Sequence, residues 1–179
     1  KASSWHILFP NDLHLNLLYN KDLLQRSAVQ YHWINTNYES FEHYLLSMTS
    51  RKRKMIKKER RHILDQNIHV EILDGTQISH SMWIFFYQLY ERTYAKRNGT
   101  RGYLTSQFFT EIAQTMPEQI AMSVATKNSQ PIACALYLFD DDTLYGRYWG
   151  SIGDYQFLHF ELCYYQGIEF AIKKGLGRY

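Results

Sequence analysis

Glu161 is the residue whose type and place first suggest chemistry. On a helical projection of residues 157–174 it falls among Phe157, Tyr164, Tyr165, Ile168 and Ile172, so its carboxylate is expected to be largely buried. Burial disfavours the charged carboxylate, which makes such a group either a member of a structural ion pair or a general base. Arg147, on the preceding strand, is the partner expected from proximity in sequence. His159 and Cys163 stand one helical turn apart, and His159 is a proton carrier suited to neutral pH, or simply a surface or hydrogen-bonded core histidine. Just before this helix the strand LYGRYWG concentrates Tyr145, Arg147, Tyr148 and Trp149, a set that suits orientation of a carbonyl or phosphate as well as cross-strand packing.

A second concentration is purely electrostatic. Residues 51–61 read RKRKMIKKERR, eight bases and one Glu, while the whole chain has a formal net charge of only +3. Such a run is a footprint for RNA, nucleotide or phospholipid phosphates, or else a solvated helix face. Arg53, Lys54, Lys57, Arg60 and Arg61 fall on the arc opposite Phe41, Tyr44, Leu45, Met48, Met55, Ile56 and Ile63, so the run is read as one face of an amphipathic helix. Lys52 and Glu59 lie inside the apolar arc, each needing water or a partner from elsewhere.

Several function classes fall away. Two cysteines, Cys134 and Cys163, are too few for a disulfide framework, and the eight histidines include no H-x-x-x-H pair, so no structural metal is expected. There is no Walker loop, no G-x-S-x-G and no G-x-G-x-x-G. No signal-like segment or apolar run of membrane-spanning length occurs, and the chain reads as cytoplasmic. Hydrophobic residues at 45% and aromatics at 16% place it among folding sequences. The oligomeric state is not fixed by the sequence.

The elements that must position these residues follow from period and punctuation. Short strands are expected at Trp5–Phe9 and Val29–Ile34, with a short helix around Leu13–Leu18 after Pro10. One long helix is expected over Ser40–Gln66, a strand over Ile68–Leu73, and a second long helix over Ser79–Arg97, stopped by Asn98-Gly99. Trp83, Tyr87, Tyr90 and Tyr94 give the latter an aromatic stripe, for core packing or as a stacking platform. A short helix over Ser106–Thr115 precedes an antiparallel meander of Gln119–Thr126, Pro131–Phe139 and Thr143–Trp149. Ala121, Ser123, Ala125, Ala133 and Ala135 line one face of its first two strands, permitting a helix or ligand to approach closely. The final helix, Phe157–Lys174, stops at Gly175 and is expected to carry His159, Gln166 and Lys173 on its more polar side.

The segments SMTSRKRKMIKKERR, TYAKRNGTRGYLTSQFF and LYGRYWGSIGDYQFLHFELCYYQGIEFAIKKGLGRY resemble the FemAB-like branch of the GNAT superfamily, the peptidoglycan biosynthesis or recognition proteins. The resemblance runs through nearly the whole chain. It implies an α/β (α+β) GNAT-like fold, a mixed, largely antiparallel sheet flanked by helices, in a tandem arrangement truncated at both ends. Residues 1–38 would be the C-terminal part of a first GNAT-like subdomain, and residues 39–179 a second one lacking its last strand or strands. It further implies transfer of an acyl or aminoacyl group to an amine, with Glu161, Arg147, Tyr148 and His159 nearest the chemistry, and Tyr145, Trp149, Lys96 and Arg97 binding a small-molecule or glycopeptide acceptor. Coenzyme-A-dependent members open the helix after the fourth strand with a glycine-rich pyrophosphate loop. Here Gln156–Glu161 holds no glycine, so aminoacyl-tRNA is expected as donor ahead of coenzyme A. Arg51, Arg53, Lys54, Lys57, Lys58 and Arg61 would then contact tRNA phosphates. The alternatives are a coenzyme-A-dependent N-acetyltransferase and a non-catalytic module that binds glycopeptide or RNA.

Overall fold

The alternation of apolar and small residues through the middle of the chain builds one antiparallel sheet. A computed structural model describes residues 4–8, 10–19, 21 and 23–179. Four strands follow one another in space as they do in sequence: β1 (Ile68–Asp74), β2 (Ile120–Lys127), β3 (Gln130–Phe139) and β4 (Leu144–Ser151). The expected three-strand meander is therefore extended by β1, whose Val70 pairs with Ala125 of β2. Asn128 and Ser129 turn the β2–β3 hairpin with positive φ, and Asp140 accepts from the backbone N–H of Asp142 and Thr143 to turn β3 into β4. Arg147 is the extra residue of a bulge, since Tyr137 faces Gly146 while its neighbour Leu136 faces Tyr148.

Each face of the sheet carries a helical layer. On one, α4 (His80–Asn98) and α5 (Ser106–Thr115) pack Trp83, Phe86, Leu89, Tyr90 and Phe109 against Ile120, Met122, Val124, Cys134 and Leu136. The aromatic stripe is thus core: Trp83 and Tyr90 are buried, with Tyr87 and Tyr94 packed beside them. Ser79 caps α4, and Gly99 ends it in the left-handed conformation at φ 67°. On the other face the small residues do what was expected of them. Ala121, Ala125, Ala133 and Ala135 lie directly beneath Leu158, Leu162, Phe170 and Ala171 of the last helical segment.

That segment is not a uniform helix. It runs as α6 (Leu158–Phe160), a π-helical turn (Glu161–Tyr165) and α7 (Gln166–Lys174), which ends at Gly175 with φ 73°. The wide turn sends the Gln166 N–H to the Glu161 carbonyl, five residues back. The carbonyls around it find hydroxyl donors instead: Leu162 O accepts from buried Ser123 at 3.2 Å and from Tyr137, and Cys163 O accepts from Tyr179. The extra residue also rotates the remainder of the helix. Gln166, expected on the side away from Glu161, donates to the Glu161 carboxylate at 2.8 Å.

Three further expectations change. The helix expected over Ser40–Gln66 is two, α2 (Phe41–Leu46) and α3 (Ser50–Asp65), because Ser47–Thr49 break the ladder and Thr49 caps α3 through its side chain. The strand expected over Val29–Ile34 shrinks to a short stretch in which Trp33 and Tyr179 exchange backbone hydrogen bonds and Asn35 donates to Gly177 O. Trp5–Leu8 form no strand, and Phe9 lies outside the described residues.

The chain divides into two units, Lys1–Tyr31 and His32–Tyr179. The first holds α1 (Asp12–Leu18), capped by the Asn11 side chain on the His14 N–H, with no buried residue in the helix. The sheet and the remaining helices belong to the second. Among the described residues no helix is long and apolar enough to cross a membrane, and no cluster of metal-ligating side chains forms.

Candidate active site

The end of β4, the loop after it and the start of α6 form an open cleft of about 420 Å³, lined by Trp149, Gly153, Asp154, Tyr155, Gln156 and His159. Two close approaches fix its wall. Gly150 lies so near Leu89 that an added Cβ would meet the Leu89 carbonyl oxygen at 2.9 Å, and Thr93 Oγ1 donates to Trp149 O at 3.2 Å. These contacts seat α4 against β4, so that the last turn of α4, with Lys96 and Arg97, reaches the cleft rim. Lys96 Nζ is 3.7 Å from Asp154, an exposed pair of little energetic weight.

His159 stands edge-on to Trp149, with ring centroids 4.9 Å apart. Burial, and then the Arg97 charge, hold its imidazole below the ordinary histidine range. A neutral imidazole beside an open cleft is competent to accept a proton at neutral pH. Phe157, immediately before α6, has φ 66°, a left-handed conformation costly for an aromatic residue. It turns the chain sharply from the Asp154–Gln156 loop into the helix that carries His159.

Glu161 is buried, at 4% exposure, as its helical position predicts, but its partner is Arg60 and not Arg147. Arg60 Nε donates to both Glu161 oxygens at 3.2 Å and a terminal nitrogen to Oε1 at 3.0 Å, while Glu169 lies 3.0 Å from the same guanidinium. Burial works against the Arg60 cation, yet the two carboxylates outweigh it and raise its pKa. The reason Arg147 is unavailable is the bulge, which leaves it exposed with its guanidinium 5.3 Å from the Tyr148 ring centroid. Glu59, also on the inward arc of α3, accepts from Tyr165, whose hydroxyl is held protonated by burial and then by that carboxylate.

The structure thus brings Trp149, His159, Lys96 and Arg97 to one place and leaves the other candidates elsewhere. Tyr145 donates to Asp140 at 2.9 Å, and Tyr148 packs edge-on against Tyr90 on the α4 side of the sheet. Neither they nor Arg147 and Glu161 line the cleft. Sequence reasoning missed Asp154, Tyr155 and Gln156, although a signal is present: a polar loop, GDYQ, joins the aromatic strand to the helix. Along α3, Arg51, Lys54, Lys57, Lys58 and Arg61 are exposed, whereas Arg53 is half-buried and donates to Met48 O at 3.3 Å.

The family model for peptidoglycan biosynthesis/recognition proteins matches residues 1–179. The chain belongs to the FemAB-like family. A solved structure of similar fold is the C-terminal domain (DUF2156) of a protein named "Putative Lysylphosphatidylglycerol Synthetase" from Agrobacterium fabrum, with a TM-score of 0.52 and 10% identity. The match covers 71% of the FemAB-like chain and 40% of that one, so the likeness is of fold and spans less than half of the relative. No curated protein sequence matches the chain. The mixed α/β architecture of the FemAB-like chain, a four-stranded antiparallel sheet between helices, agrees with this likeness of fold.

Proposed function

We propose that the chain is the transferase part of a FemAB-like protein with a GNAT-like fold, which moves an aminoacyl or acyl group onto an amine of a peptidoglycan-related acceptor. Family membership supports the class. The single observation that carries the chemistry is the neutral, half-buried His159 facing the open Trp149 cleft. In this reading the acceptor amine attacks the donor carbonyl and His159 removes the amine proton. The carbonyl–oxygen bond of the ester then breaks, and the leaving hydroxyl takes a proton back. The donor is an aminoacyl-tRNA, since the helix after β4 begins with Phe157 and His159 where a coenzyme A site needs glycines. Lys96 and Arg97 at the rim attract an anionic substrate group, and Trp149 and Tyr155 offer flat apolar surface. Glu161, paired with Arg60, supports the helix and does not act as base. Residues 1–38 are read as the end of a preceding subdomain.

The test is a donor screen on the intact protein with His159→Asn. Transfer from charged tRNA should fall about 100-fold or more, with folding unchanged by circular dichroism. Equal rates in both proteins would remove His159 from the chemistry. Stabilisation by a micromolar coenzyme A ester, without effect of charged tRNA, would reverse the choice of donor.

A further inference from the structure

The two outer edges of the sheet differ. The β4 edge is closed piece by piece: Leu144 N–H donates to Arg178 O at 2.9 Å, the Tyr179 ring covers Gly146, the bulge at Arg147 breaks the regular ladder, and Thr93 donates to the Trp149 carbonyl. The β1 edge has none of these devices. Its seven residues, IHVEILD, pair with β2 without a register shift and include neither Pro nor Lys. Along an antiparallel strand the backbone groups of alternate residues point to opposite sides. Asp74 N–H turns away from β2 to the Gln77 side chain at 3.0 Å, which places the backbone groups of Ile68, Val70 and Ile72 on the same outer side. Among the described residues nothing bonds to those three groups from that side.

We infer that β1 pairs with β1 of a second copy of the chain, joining two four-stranded sheets edge to edge across a two-fold axis at Val70. Side-chain order selects this register. Centred on Val70, the axis sets Val70 against the partner's Val70 and Ile68 against the partner's Ile72, all on the face that packs under the last helical segment. On the opposite face exposed His69 meets the partner's Glu71, and exposed Glu71 meets the partner's His69. An axis at Glu71 would set two carboxylates opposite each other, and one at Ile72 would set Asp74 against the partner's Val70. The Val70 register pairs β-branched with β-branched and acid with base, and lets the outward groups of Ile68, Val70 and Ile72 exchange about six backbone hydrogen bonds. It also covers the half-buried Val70 and Ile72. Because one segment supplies both halves, the contact is isologous and closes at two copies. Growth into a filament would need β1 to pair with the β4 edge, which the bulge and the Arg178 and Tyr179 contacts obstruct. The dimer stands or falls separately from the transferase chemistry.

Sedimentation velocity of the full chain from about 1 to 200 µM should show a reversible monomer–dimer equilibrium. Glu71→Lys should raise Kd about tenfold, since each change acts at two symmetry-related pairs, and His69→Glu, which sets carboxylate against carboxylate, should do the same. The double exchange His69→Glu/Glu71→Lys should return Kd to within about threefold of the unaltered chain, because opposite charges face each other again. Glu118→Lys, at an exposed position away from β1, should change Kd less than about twofold. Val70→Pro removes an N–H that only the dimer uses and should abolish association while the monomer stays folded by circular dichroism. If Val70→Pro does not fold, the reversals at exposed His69 and Glu71 decide alone. Monomer throughout the concentration range would overturn the pairing and leave the edge to a strand of another protein. A dimer that both single reversals leave untouched would place association on another surface. Failure of the double exchange to restore a dimer that both singles weaken would overturn the Val70 register.

Discussion

At His159, two effects act in the same direction: burial and the Arg97 charge both disfavour the imidazolium. The proton therefore leaves below the ordinary histidine value of about 6.5. An imidazole NMR titration should show that lowered midpoint, and Arg97→Ala should move it upward by removing the second cause. A base must be neutral to act, so the acid limb of transfer should follow the same midpoint, with the rate lost as pH falls through it. An unmoved midpoint in Arg97→Ala would separate the two side chains. For Glu161 the expectation is structural. Glu161→Gln leaves Arg60 with only the half-exposed Glu169, and the weakened buried pair should cost about 2–3 kcal/mol. A urea midpoint lowered at unchanged m would show it. Full stability with transfer abolished would return the catalytic role to Glu161.

The π-turn is an element whose stability rests on groups outside it. Its Leu162 carbonyl is shared by Ser123 and Tyr137, so either hydroxyl alone keeps it satisfied. Ser123→Ala and Tyr137→Phe should each cost about 1 kcal/mol. The double substitution should cost more than their sum, since it leaves the carbonyl buried without a donor. Additive unfolding energies would mean the two hydroxyls act independently. This turn also marks where the sequence stops being legible. Helix α4, its Gly99 stop, α5 and the small-residue face of β2 and β3 follow from local signals that the tertiary structure reinforces. The burial of Glu161 is equally readable. Its partner is not, because Arg60 lies 101 positions away and pairing at that range depends on packing. A π-turn has no local signature in ELCYY, so a uniform helical projection places every residue after Glu161 one position out of phase, Gln166 among them. The cleft is half legible: the aromatic strand and His159 stand out by type, but the bulge that turns Arg147 away is a property of two strands together.

In the His32–Tyr179 unit, most of the sheet joins neighbours in sequence, with β2–β3–β4 linked by short turns. Two pairings are not local: β1 with β2, across α4 and α5, and, at the widest separation, Trp33–Asn35 with Gly177–Tyr179, where the Asn35 side chain reaches Leu176 O across 141 positions. Tyr179 then fills the space left by Gly146 of β4 and Gly167 of α7, where added Cβ atoms would meet its ring at 3.3 Å and 2.5 Å. Such a closure carries the largest loop entropy in the unit and is recovered only after the intervening elements are in place. The meander should therefore form early and the Trp33–Tyr179 seam last. Trp33→Phe should speed unfolding while leaving the refolding rate nearly unchanged. A refolding rate that slows in proportion to the lost stability would place the seam in the folding nucleus. During synthesis the same order means that Trp33 emerges early and waits for nearly the whole unit before it gains its partner. Until then a short strand edge and an indole stay open to other chains, a window of exposure set by translation speed and not by the stability of the finished fold.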